Sequence, residues 1–426
     1  MAPALGIIAD DFTGAVMVAA MLETAGIACP VVFDPAAIRP DESAPVLMVA
    51  ARSRTVAVAE AMAEVSHIAD CLAACGCRQL AYKACASFDS TAAGNIGPAA
   101  DLLAARTGLR PVLMSAGFPR FGATVHQGYL FYRGRLVSES IKRLDPLTPM
   151  TDPDLVRFLG LQTPKPVGLI PHATLLRGLG AAEAALAQLA ESGLGHVLCD
   201  ASDDSDVEVT ADLALTSGLP VVASDPLIVA LARRLAMGRT LPRDPVLMPR
   251  GPVAVLAGST GPVVLEQLAV LAQKYPVLVL DVLDAQGTAA VVTSALNWAA
   301  RQAGPFAIST ATDAQGVARS QAALGHLGAA RQAEALLAAV AAGLRDRGQR
   351  RFVVAGGETS GAVVAALGIG RARALPEGPL GLGLCVTDGD DPLALFLKPG
   401  KLGAADVLVQ AASGVGFDAY GASHDR

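Results

Sequence analysis

Charge is scarce in this chain of 426 residues, with 17% Asp, Glu, Lys and Arg and a net charge of −6. No long basic run occurs, which sets nucleic-acid binding aside. No uncharged stretch of about 18 apolar residues occurs, so no membrane-spanning helix is expected. The opening residues MAPALGIIADDF lack a basic segment ahead of an apolar one. A secretory signal is therefore not expected, and the chain reads as cytoplasmic. The phosphate-binding pattern G-x-x-x-x-G-K-[ST] is absent, as is a complete G-x-G-x-x-G after a strand. The missing dinucleotide fingerprint argues against a dehydrogenase. No G-x-S-x-G elbow supports a hydrolase triad. The six His are scattered, and only His126, within 122–128, lies in a motif-like stretch. The seven Cys are odd in number. Cys71, Cys75 and Cys77 cluster, but their spacing is wrong for a zinc knuckle and no His is read beside them at ligand spacing. They read as small buried residues in a reducing compartment.

What is present is apolar material, 52% of the residues. The length exceeds one ordinary core and fits two domains. Short apolar runs alternate with Ala/Leu-rich helical stretches. Strands are expected at 6–9, 46–50, 80–84, 111–115, 167–170, 196–200 and 220–223. A second series is expected at 253–257, 277–280, 306–310, 351–355, 384–387 and 394–397. Helices lie between many of them, for example over 321–347. Such alternation predicts α/β architecture, with largely parallel sheets flanked by helices in two domains and a ligand cleft between them. The break falls near 238–251, where Pro, Gly and charge replace the apolar period and read as a linker. The domains are drawn as 1–240 and 250–418, with a polar tail after Phe417.

Candidate chemistry sits at strand ends. Ile7-Ile8-Ala9-Asp10-Asp11-Phe12-Thr13-Gly14 puts two carboxylates where an open α/β sheet binds ligands. Adjacent residues point in different directions, so one of the two is expected to face a ligand and to orient or deprotonate a hydroxyl. The alternative is that Asp11 caps the following helix. Lys83 ends another strand and suits a carboxylate. Beyond it, Phe88-Asp89-Ser90-Thr91 leads to Gly94-Asn95, a tight turn whose amides suit an anion. The alternative there is a plain strand-turn-helix join. In the second half, the strand 351–355 runs into Gly356-Gly357-Glu358-Thr359-Ser360-Gly361, glycines and a helix start suited to phosphate. Gly258-Ser259-Thr260-Gly261 and Lys398-Pro399-Gly400-Lys401-Leu402-Gly403 also follow strands. Lys398 or Lys401 is a candidate phosphate cation. Each of these three is also readable as a structural turn, but three in one half favour a shared nucleotide site.

In this order, IADDFTGA, ARSRT, YKACASFDSTAAGNIGP, GYLFYRGRLVSES, DPLTPMTD, AGST, VVAGGETSGAVVAALGI and LKPGKLG resemble the four-carbon acid sugar kinase family, nearest its 3-oxo-tetronate 4-kinase branch. The resemblance covers about 6–408. It implies an N-terminal sugar-acid domain, a C-terminal nucleotide domain, ATP with Mg²⁺, and phosphorylation of a terminal hydroxyl. The acid would be a 3-oxo-tetronate, with threonate, erythronate or 3-oxo-isoapionate as alternatives. It implies Asp10 and Asp11 as catalytic, and Arg54, Lys83, Asp89, Ser90, Gly94 and Asn95 as substrate-binding. Arg54 suits a carboxylate through its bidentate fork. Ser259, Gly356, Gly357, Glu358, Thr359 and Gly403 would bind the nucleotide; no metal ligand is assigned. Partners are the acid and ATP, with no nucleic acid or membrane, and a homodimer is allowed. The family's GATD reads Gly14-Ala15-Val16-Met17, and its Gly-Arg-Thr reads Gly122-Ala123-Thr124. Its Pro-Ala-Phe-Pro reads Ala116-Gly117-Phe118-Pro119, and its Gly-Pro-Thr-Ile reads Gly378-Pro379-Leu380-Gly381. Losing an acid at 17 and a base at 123 together is coherent with a reshaped pocket, since an unmatched buried charge is costly. A nucleotide-binding regulator without catalysis is the reading from a different class.

Overall fold

The structure, a computed structural model, describes residues 2–39, 42–145, 147–239, 246–284 and 287–421. The chain divides into two compact units. One comprises Met1–Val18, Ala25–Pro30 and Ile38–Leu241, and the other Ala19–Thr24, Val31–Ala37 and Pro242–Arg426. Within the expected linker, 240–245 lie outside the described residues, as do 422–426 of the tail. Among the described residues, no helix is long and apolar enough to cross a membrane.

Strands are numbered along the chain: β1 Leu5–Ala9, β2 Pro30–Val32, β3 Val46–Ala50, β4 Gln79–Lys83, β5 Val112–Ser115 and β6 Ala123–His126. They continue as β7 Tyr129–Tyr132, β8 Arg135–Leu136, β9 Val167–Ile170, β10 His196–Cys199 and β11 Val221–Ala223. The first unit's sheet runs β3-β1-β4-β11-β5-β10-β9, all parallel. Sequences such as LGIIA and VLMVA are buried throughout. A strand covered on both faces needs an unbroken apolar run, which is why these stretches were legible. The chain passes from β1 to β3 on one side and to β4 on the other. β1 is therefore a switch point, whose carboxyl end opens toward ligands.

The second unit holds β12 Val253–Ala257, β13 Val277–Val279, β14 Phe306–Ser309, β15 Arg351–Ala355, β16 Arg371–Ala374, β17 Leu384–Thr387 and β18 Ala394–Lys398. Its order is β13-β14-β12-β15-β18-β17-β16; β17 is antiparallel to both neighbours and the other pairs are parallel. Val253, Val255, Val353 and Phe396 pack with Leu375 and Phe417 in its core. β12 is the switch point here, with β14 on one side and β15 on the other.

Each expected strand is present with its bounds within one residue. β2, β16 and the antiparallel β6-β7-β8 sheet were not anticipated. They are short, and β6 and β7 are only partly buried, so they lack the continuous apolar signal. The helix expected over 321–347 begins at Ala314 and is broken at Gly325, where φ is 72° and ψ 165°. A residue with a Cβ rarely adopts that geometry, so a glycine here ends one helix and starts the next. Cys71, Cys75 and Cys77 are free and half-buried, not buried as expected. Among the described residues, no group of His, Cys, Asp and Glu could hold a metal ion.

Candidate functional site

Four neighbouring strands of the first unit deliver charge to one place. Asp10 and Asp11 follow β1, Arg54 lies in the loop after β3, Lys83 ends β4, and Asp225 follows β11. Arg54 Nε donates to Asp10 Oδ2 and Nη2 to Asp10 Oδ1, both at 2.8 Å. The same Nη2 lies 3.0 Å from Asp11 Oδ1. Both adjacent carboxylates thus converge on one guanidinium. Asp10 N makes the last bond of the β1–β4 ladder, to Lys83 O at 2.9 Å, and the backbone bends at Asp10 and Asp11, so the alternation of a strand no longer applies. Arg54's fork, expected for a substrate carboxylate, grips an internal one.

Asp11 also caps the helix Phe12–Thr24, accepting from Gly14 N at 2.9 Å. Burial raises the Asp11 carboxyl, but Arg54, Lys83 and the Gly14 amide outweigh it and hold it below the ordinary carboxylate range. Burial likewise opposes the Lys83 ammonium, yet Asp225, Asp11 and Asp10 keep it above the ordinary lysine value. Lys83 Nζ is 3.5 Å from Asp225, whose carboxyl burial pushes up, Lys83 offsetting only part of that cost. A Cβ on Gly14 would stand 2.1 Å from Lys83 Nζ and 2.5 Å from Asp11 Oδ1. Only glycine lets the ammonium lie against the helix start. Beside it, the buried Thr13 hydroxyl has no hydrogen-bond partner. Three carboxylates against two cations leave an excess of one negative charge when all are ionised. Such a cluster suits accepting hydrogen bonds from hydroxyls.

Asp89 lies further along the loop after β4. Its carboxylate pairs with Lys142 Nζ at 2.8 and 3.2 Å and accepts from Ser87 Oγ at 2.7 Å. Lys142 and Asp89 are each 5% exposed, and the ammonium stands 5.1 Å from the Tyr132 ring centre. Ser90 and Gly94 pack together: a Cβ on Gly94 would meet Ser90 Oγ at 1.8 Å. Of the two amides expected to suit an anion, Gly94 N is bonded to Thr91 O at 2.9 Å. The next two amides, at the start of the helix Ile96–Thr107, meet a side chain. Gln162 Oε1 accepts from Ile96 N at 3.1 Å and Gly97 N at 3.0 Å. Asn95 Nδ2 donates to Ser53 O at 2.6 Å and Val56 O at 2.9 Å. It thereby clamps the turn that carries Arg54.

In the second unit, the glycine-rich ends of β12, β15 and β18 are brought side by side. Gly356, with φ +127°, faces Thr359 Oγ1 and Ser259 Cβ; an added Cβ would stand 2.9 and 3.4 Å from them. A Cβ on Gly400 would meet Ser259 Oγ at 2.6 Å, and one on Gly258 would meet Thr359 Oγ1 at 2.3 Å. Ser259, Gly356, Thr359 and Gly400 therefore form one cradle that Cβ atoms would fill. Gly357, Glu358 and Thr359 open the helix Gly357–Ala366, whose start has no side-chain cap. At the end of β14, the buried Thr310 hydroxyl has no partner. Lys398, a candidate phosphate cation, instead turns into its own loop, donating to Pro399 O at 2.7 Å and Leu402 O at 2.8 Å.

Comparisons with known proteins fit this two-part arrangement. A family model described as a sugar-binding N-terminal domain matches residues 5–231, and one described as a nucleotide-binding C-terminal domain matches 254–408. A 3-oxo-tetronate kinase of Methylobacterium radiotolerans is 41% identical over 420 residues, covering 96% of this chain and 99% of the relative. One from Cupriavidus necator is 39% identical over 421 residues, covering 96% of each. The chain belongs to the four-carbon acid sugar kinase family. Among solved structures, a Salmonella typhimurium LT2 protein, named for a tRNA synthase, is similar at a TM-score of 0.77 and 32% identity, covering 96% of this chain and 98% of that one. A Haemophilus influenzae protein is similar at 0.69 and 28%, covering 96% and 99%.

The departures from the family pattern at 17 and 123 lie at buried positions. Met17 lies in the helix after Asp11, only 6% exposed. Ala123 is buried in β6, directly across from Tyr132 in β7. The Tyr132 ring is the one that faces Lys142, so a cation enters this neighbourhood from another segment. Lys142 and Asp225 were missed in the sequence. Asp225 had a readable signal, an acid two residues past a strand end like Asp11. Lys142 had only its place between two motif blocks of the family.

Proposed function

We propose that the chain is an ATP-dependent kinase that phosphorylates the terminal hydroxyl of a small sugar acid, a 3-oxo-tetronate, giving its 4-phosphate. The observation that carries this reading is the likeness to 3-oxo-tetronate kinases at 41% and 39% identity over nearly the whole chain. The site geometry agrees with it. Phosphoryl transfer asks mainly for positioning and charge neutralisation.

Asp11 is assigned to accept the hydrogen of the attacking hydroxyl. It is held ionised by Arg54 and Lys83, so it orients this group and takes its proton late, as the bond to phosphorus forms. Asp10 holds Arg54 in place. Arg54 Nη1 takes part in neither carboxylate bond and is assigned to the acid's carboxylate, with Lys83 balancing the cluster. Asn95 is assigned to position Arg54 through Ser53 and Val56. The Asp89–Lys142 pair, with Ser90 and Gly94 beside it, is assigned to the wall of the sugar-acid pocket.

The cradle of Ser259, Gly356, Thr359 and Gly400, with the neighbouring Gly357, Gly403 and the unpartnered Thr310 hydroxyl, fits nucleotide phosphates. Glu358 in the same helix turn is assigned to the nucleotide. No cage of three acidic or imidazole ligands occurs among the described residues, and no residue is assigned to Mg²⁺. When bound, that ion would neutralise charge on the transferring oxygens.

The test is Mg²⁺-dependent ADP release against 3-oxo-tetronates made in situ, with threonate, erythronate and 3-oxo-isoapionate as competitors. Turnover on a 3-oxo-tetronate supports the proposal, and turnover on another acid alone corrects its substrate. Silence on every acid, with ATP still raising the melting temperature, favours a regulator.

A further inference from the structure

The loop after β18 is held from beneath by two buried side chains. Lys398, 2% exposed, donates to Pro399 O at 2.7 Å and Leu402 O at 2.8 Å. Gln267, on the helix Pro262–Ala272, is fully buried. Its Nε2 lies 3.3 Å from Leu402 O, 3.2 Å from Gly403 O and 3.0 Å from Ala404 O. Its Oε1 has no partner. The amide is thus oriented by the carbonyls it collects.

A trans peptide is planar, so its N–H points opposite to its C=O. Drawing in the carbonyls of Pro399, Leu402, Gly403 and Ala404 turns the amides of Gly400, Gly403, Ala404 and Ala405 outward. Among the described residues, none of these four amides has a protein acceptor. Gly403 and Ala404 are exposed, and Gly403 has φ +96°. A row of outward amides is an anion-binding concavity. It also borders the cradle described above, because a Cβ on Gly400 would strike Ser259 Oγ.

We propose that Lys398 and Gln267 are positioning residues that hold this loop's carbonyls inward, so that its amides, and not the lysine ammonium, meet the nucleotide phosphates. This rests on the nucleotide-binding part of the proposed function and not on the identity of the acid. The pairing of a cation with neutral carbonyls alone accords with it. No carboxylate lies within ion-pair distance of Lys398 among the described residues, and burial lowers its ammonium to about 7.

The full-length protein with Gln267→Leu, Gln267→Glu, Lys398→Met and Lys398→Arg would be compared by calorimetric binding of ATP and ADP and by steady-state kinetics. Gln267 lies under the loop and cannot reach a ligand, so its loss separates positioning from contact. Gln267→Leu is expected to weaken ATP binding about tenfold and to raise KM for ATP alike, leaving KM for the acid unchanged. Gln267→Glu, which sets an acceptor against three carbonyls, is expected to do worse. Lys398→Arg is expected to recover part of what Lys398→Met loses. Native ATP affinity in folded Gln267→Leu would overturn the proposal. A parent protein that binds neither ATP nor ADP would overturn it together with the nucleotide reading. A parent that binds nucleotide but turns over no tested acid leaves it standing and removes only the substrate assignment.

Discussion

Arg54 grips Asp10 with both arms of its guanidinium at 2.8 Å, and one of those nitrogens also reaches Asp11 at 3.0 Å. Removing the arginine would leave two adjacent buried carboxylates facing each other. Arg54→Ala is expected to abolish turnover and to cost about 3 kcal/mol of stability, the lower end for a broken buried pair because the side chain is 17% exposed. Arg54→Lys keeps the charge but not the fork. It should recover stability more than activity. ADP release and denaturant unfolding on the same samples check this.

Gly14 and Lys83 are bound by a steric argument. Gly14→Ala would put a methyl 2.1 Å from the Lys83 ammonium. The helix tolerates alanine, so the cost falls on the site. We expect a folded protein, destabilised by about 1–3 kcal/mol, with turnover lowered far more than ATP affinity. Calorimetric ATP binding close to that of the parent, with normal turnover, would contradict the placement of Lys83.

Asp89 and Lys142 form a buried pair, and a double-mutant cycle measures what each does for the other. Asp89→Asn and Lys142→Met should each destabilise by about 3–5 kcal/mol by stranding a charge. The double variant should lose less than the sum. Strict additivity in urea unfolding would show that the two charges are not matched in solution.

Lys398 makes a pH prediction whose sign follows from its burial. Its folded value of about 7 lies below the ordinary lysine value of 10.5. Between these limits the unfolded chain binds more protons than the folded one, so the contribution to stability rises with pH. From pH 7 to 9 the parent should gain stability relative to Lys398→Met; below 7 the two should run parallel. Denaturant midpoints across that range, with nucleotide absent, test it, and parallel curves throughout would refute the buried position.

Much of the architecture was legible because parallel strands covered on both faces must be apolar throughout, as LGIIA before Asp10 and RFVVA before Gly356 are. The chemistry-bearing residues at strand ends could be named for the same reason, since a strand's end marks where a side chain reaches the ligand edge. The antiparallel strands around Ala123 escaped notice because they are short and half-exposed. What each polar group bonds to was decided only by the tertiary structure. Arg54 reaches 44 residues back to Asp10, Lys142 reaches 53 back to Asp89, and Gln162 serves the amide of Gly97 across 65. Gln267 collects the carbonyl of Ala404 across 137 residues. Burial makes an unpaired polar group costly, but the partner is whichever group the strand order brings within about 3 Å, and no local pattern in the chain carries that order.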